Sequence, residues 1–93
     1  MSRTLVPSAK YAKALKKLVK KNPQFVSDIS KTIKLLEENP FDSKLKTHKL
    51  QGHLNERWAC SILYDLRILF KFTEYEGQDI ILLVDIGSHD AVY

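Results

Sequence analysis

The chain has 93 residues, 44% of them hydrophobic and 28% charged, with a net charge of +4. That length supports one domain with one modest core. It carries no apolar run of the roughly 18–20 residues a membrane span requires, and its single cysteine excludes an internal disulfide or a paired-cysteine metal knuckle.

The charge is divided unevenly. Residues 1–34 hold nine Lys/Arg and one acid, Asp28, for a net +8, whereas residues 35–93 hold six Lys/Arg and ten acids, for a net −4. A basic half points to a polyanion or an acidic protein partner, or simply to a solvated lysine face. The first ten residues, MSRTLVPSAK, have no signal-like apolar stretch. The expectation is a cytoplasmic protein, with Cys60 serving as a small apolar strand residue.

Taken in chain order, RTLVP makes a short strand that ends at Pro7. Ser8 is placed to cap AKYAKALKKLVKK, where Tyr11, Leu15, Leu18 and Val19 recur at helical spacing and the lysines lie around the other side. Asn22-Pro23 reads as the cap and first residue of a second helix. Its stripe is Val26, Ile29, Ile33 and Leu36, flanked by Phe25 and Leu35, and Asn39-Pro40 stops it.

Residues 41–57 have no clear period and read as loop or short extended structure. WACSILY and LRILFKF then follow across a tight turn at Tyr64-Asp65. In the second, Leu66, Ile68, Phe70 and Phe72 point one way and Arg67, Leu69 and Lys71 the other. EYEGQD makes a polar turn around Gly77. IILLVDI is apolar on both faces, as a strand inside a sheet requires. The sum is a single α+β domain over residues 1–93, ordered β-α-α-β-β-β, with a helical hairpin packed on one face of a mainly antiparallel four-stranded sheet.

Phosphate-binding glycine loops, HExxH and GxSxG are absent, and the spacing of His48, His53 and His89 matches no metal motif, so no cofactor or metal is expected. What remains is a polar set: His48 and His53 in the loop, Asp65 at the hairpin turn, Arg67 on its strand, and His89 and Tyr93 after the last strand. If these share one end of the sheet, they have the components for RNA cleavage without a metal. Histidine, with an unperturbed pKa of about 6.5, suits the two proton transfers at the ribose 2′-OH and the 5′-oxygen. Asp65 could be a base or orient an imidazole, Arg67 could bind phosphate, and Tyr93 could stack on a base. Each also has a plain role: surface histidine, turn aspartate, Arg67 paired with Asp85, or Tyr93 covering the edge of the core.

Three stretches carry a resemblance over nearly the whole chain: HKLQGHL, YDLRILFKF and IGSHDAVY. In order and spacing they resemble the RelE/ParE superfamily of toxins, most of all its YafQ branch. The resemblance implies a ribosome-dependent endoribonuclease that cuts translated mRNA and is paired with a cognate antitoxin. By position it implies active-site roles for His48, Asp65, His89 and Tyr93, with Arg67 as the strand arginine of the wider superfamily. Lys10, Lys13, Lys17, Lys20 and Lys21 would then dock on rRNA, with Lys46 and Lys49 nearer the message and His53 and Arg57 close by. Related toxins often carry an acid and a histidine where this chain has Ala59 and Ser61. Two other readings stay open: a ParE-like toxin that cuts no RNA, and a degenerate member that only binds its antitoxin.

Overall fold

A computed structural model describes residues 3–52 and 56–88. The elements are β1 (Thr4–Pro7), α1 (Ala9–Lys21), a 3-10 turn (Pro23–Phe25), α2 (Val26–Glu38), a second 3-10 turn (Ser43–Leu45), β2 (His48–Lys49), β3 (Trp58–Leu63), β4 (Leu66–Tyr75) and β5 (Gln78–Ser88). The sheet order is β1-β5-β4-β3-β2. Only the β1–β5 pair is parallel; the rest are antiparallel. The sheet therefore has five strands where four are expected. The additional strand, β2, is two residues long, too short for its alternation to show as a sequence period. No helix among the described residues is long and apolar enough to cross a membrane.

Local chemistry sets the boundaries. The Ser8 hydroxyl accepts from the Tyr11 amide at 3.0 Å and donates to the Val84 carbonyl at 3.1 Å, so one side chain caps α1 and ties it to β5. Pro23 opens a 3-10 turn rather than α2 itself. This offset gives Phe25, not Val26, the first place in the buried stripe. Phe25 packs on the core while Val26 is 48% exposed. Thr32 is buried in the same stripe because its hydroxyl donates to the Asp28 carbonyl. Tyr75 pairs with Gln78, leaving Glu76 and Gly77, at φ 51° and 78°, as a two-residue hairpin loop with the twist that joins antiparallel strands.

The core lies between the helices and one sheet face. Leu66, Ile68 and Phe70 of β4 meet Tyr11 of α1 and Ile29 and Leu36 of α2, with Ile81, Leu83 and Ile86 from β5. Fully burying such a side chain stabilises by about 1.5–3 kcal/mol. Phe72 extends the row into an aromatic group with Phe41 and Trp58, at ring separations of 5.5–5.7 Å. Cys60 sits inside this core, and burial pushes its thiol up to about 12. The opposite sheet face carries a smaller cluster of Leu50, Ala59 and Leu69, with Val84 packed against it.

Candidate functional site

The strand period of β4 places Arg67 with Leu69, on the face away from the helices. Its register partners are Ser61 on β3 and Gly87 on β5. One neighbour has a hydroxyl and the other no side chain at all. The guanidinium donates from Nη1 to the Ser61 Oγ at 2.6 Å. Its Nε is enclosed and has no partner among the described residues. Such a donor, left unmatched, costs on the order of 1–3 kcal/mol or more on a cation. An oxyanion in the cleft beside Arg67 would meet a planar guanidinium, a group that suits phosphate and carboxylate oxygens.

Beside Arg67 opens a cleft of about 530 Å³, lined by Lys44, Lys46, His48, Ser61, Ile62, Leu63, Tyr64 and Arg67. A register shift between Ser61 and Leu63 marks where the edge of the sheet departs from regular pairing. The far wall is the loop after α2. Leu45 anchors it in the core, Asp42 accepts from the Lys44 amide at 2.9 Å, and the Thr47 hydroxyl donates to the Pro40 carbonyl. This loop hands the chain to β2, where His48 pairs with Ala59. The His48 Nδ1 lies 3.0 Å from the Lys46 carbonyl. A carbonyl can only accept, so Nδ1 carries the hydrogen and Nε2 is the lone-pair nitrogen of the neutral ring.

Asp65 is exposed on the β3–β4 turn and borders a different, smaller groove with Leu18, Phe25, Leu66 and Ser88. It therefore does not line the cleft of His48 and Arg67; Leu63 and Tyr64 border both depressions. The β4–β5 register pairs Leu66 with Ser88, so the end of β5 and the Asp65 turn occupy the same end of the sheet. His53, His89 and Tyr93 lie outside the described residues.

The basic residues divide into two groups. Lys13, Lys17, Lys20 and Lys21 are exposed on α1, which packs over β5, whereas the cleft borders β2, β3 and β4. Lys10 is not simply a docking lysine. Its ammonium lies 3.4 Å from the carboxylate of Asp85, which is buried and also accepts from the Ile86 amide. Asp85 is thus paired with Lys10 and not with Arg67. Lys46 lines the cleft, and so does Lys44, which sequence reasoning passed over. Lys49 is exposed on β2 opposite Trp58, and half-buried Arg57 offers its carbonyl to the Leu50 amide. Ala59 is fully buried between Leu50 and Leu69, so no acid could stand there without opening the cluster. No group of three or more metal-ligating side chains occurs among the described residues.

Residues 3–93 match the model of a family described as a bacterial toxin of type II toxin–antitoxin systems, YafQ. A metal-bound toxin from Helicobacter pylori is 31% identical over the full length of both chains, with a TM-score of 0.77. The Escherichia coli DinJ-YafQ toxin–antitoxin complex matches over 100% of this chain and 99% of the other, at 22% identity and TM-score 0.77. The YoeB/ParE toxin from Agrobacterium tumefaciens matches at 16% identity over 92% and 98% of the two chains, also with TM-score 0.77. The last two likenesses concern the fold alone. No curated protein sequence matches the chain.

Proposed function

The chain belongs to the YafQ family of bacterial toxins of type II toxin–antitoxin systems, and from that premise we propose that it is an endoribonuclease acting on translated mRNA at the ribosome. The observation that carries this reading is a single cleft in which the His48 imidazole stands with the Arg67 guanidinium, flanked by Lys44 and Lys46. A binding toxin needs no proton-transfer group beside a cluster of cations. RNA cleavage needs that combination.

In the proposed reaction, His48 Nε2 takes the proton of a ribose 2′-OH as that oxygen attacks the adjacent phosphorus. His89 returns a proton to the departing 5′-oxygen. The products are a 2′,3′-cyclic phosphate and a free 5′-hydroxyl. Arg67 holds the phosphate through its guanidinium and meets the charge that builds on the oxygens. Asp65, at the same end of the sheet as Ser88, supports the acid step, and Tyr93 contributes an aromatic ring to RNA binding. The exposed lysines of α1 supply the docking charge for rRNA, and an antitoxin, as in the DinJ-YafQ complex, is the neutralising partner. Such a substrate places the work in the cytoplasm.

The test compares wild-type and His89→Ala protein on induced expression, with cut sites mapped in translated messages. Wild type should arrest growth and produce new 5′-hydroxyl ends, while the variant should lose both, by at least about 100-fold in cleavage. Growth arrest with intact transcripts and induced DNA damage would establish the ParE-like alternative instead. No growth effect at high expression would mark a degenerate antitoxin-binding member.

A further inference from the structure

We propose that Tyr64 is a stacking platform for an unpaired RNA base at the rim of the Arg67 cleft, a subsite that rests on the reading of that cleft as a seat for an RNA phosphate. Tyr64 is 98% exposed, on a two-residue turn between β3 and β4. Turn positions of this kind favour small polar residues and glycine, because the fold gains nothing from a ring held in water. The other exposed rings differ in setting. Phe41 stacks on Phe72 and meets Trp58 edge to face, and Tyr75 stands at the far end of β4, next to the other hairpin loop. Tyr64 makes no ring contact among the described residues, yet it borders the same cleft as Arg67, Lys44 and Lys46.

Cations that track a backbone, with an aromatic face beside them, are the arrangement that holds single strands. The phosphate goes to the guanidinium and the ammonium groups. The base attached to the next sugar then reaches the exposed ring. Every base has a π face, so the subsite selects for unpaired RNA over duplex and not for one base over another.

The probe is a fluorescein-labelled 2′-O-methyl oligoadenylate, which cannot be cut, alongside an abasic oligomer of equal length. Tyr64→Ala should bind the oligoadenylate about tenfold more weakly than wild type, and Tyr64→Phe and Tyr64→Trp should keep wild-type affinity. Affinity for the abasic strand should be the same in all four proteins, and so should the melting temperature, since the ring is exposed. The proposal is overturned if Tyr64→Ala binds oligoadenylate as tightly as wild type, or loses as much affinity for the abasic strand. The outcome is separable from the cleavage reading. Base-dependent binding through Tyr64 stands even if wild type leaves transcripts intact, and transcript cleavage unaffected by a silent Tyr64→Ala overturns the platform alone.

Discussion

Ser61 shows how much one side chain decides. Its hydroxyl accepts from Arg67 at 2.6 Å and fixes the guanidinium in the cleft. Hydrogen bonds to charged groups are worth about 1.5–3 kcal/mol. Ser61→Ala should lower transcript cleavage about tenfold by letting Arg67 turn, with Ser61→Thr recovering most of the rate; an unchanged rate in Ser61→Ala would remove the positioning role. Cys60 supplies a pH-dependent counterpart. Burial raises its thiol from 9.0 to about 12, and likewise raises the Tyr11 phenol from 10.0 to about 12. Both groups are neutral when protonated, so the folded state holds their protons more tightly. Their contribution is complete below pH 9 and is lost as pH climbs from 9 toward 12. Urea midpoints of wild type should therefore fall from pH 9 upward, and those of Cys60→Ala should fall less steeply between pH 9 and 10, where the thiol alone of the two begins to titrate when unfolded. Parts of the site were legible as residue types in a motif, such as His48 and Arg67. Lys44, the Ser61–Arg67 bond and the separation of Asp65 from His48 were not, because they depend on strand register and loop path, which no local pattern carries.

At the scale of elements, the helices were legible because their stripes and caps repeat over several turns, β4 because its apolar side chains alternate, and β5 because a short run apolar on both faces marks a strand inside a sheet. The 3-10 turn at Pro23 and the strand β2 were hidden by shortness, and β2 is the element that presents His48. The join between α1 and β5 depends on Ser8, whose hydroxyl serves the Tyr11 amide and the Val84 carbonyl together. Losing a serine cap costs about 1 kcal/mol, and here a carbonyl also loses its donor. Ser8→Ala should therefore destabilise by about 1–2 kcal/mol in urea unfolding, and Ser8→Asp should recover only the cap, since a carboxylate cannot donate to Val84. Full recovery by aspartate would show that the Val84 contact contributes nothing.

Across the whole molecule, the fold separates two basic surfaces that composition merges into one number. The α1 lysines sit over β5, and Lys44 and Lys46 sit at the cleft beyond β3. On the proposed function, the first surface docks on structured rRNA and the second holds the message. Each phosphate contact released contributes about 0.7–0.9 to the slope of log affinity against log salt. Changing Lys13, Lys17, Lys20 and Lys21 to glutamine should reduce the slope for ribosome binding by about 3, and leave that for a short uncleavable RNA strand as it was. Changing Lys44 and Lys46 should do the reverse, reducing the short-strand slope by about 1–1.5. Lys10 is left intact in the first set because Asp85, buried beside it, would lose its ion-pair partner and confuse folding with docking. Titrations of purified ribosomes and of the short strand over a range of salt give both slopes. Equal reduction of both slopes by either set would mean that the protein meets RNA with one continuous surface, and the division of labour between helix and cleft would fall.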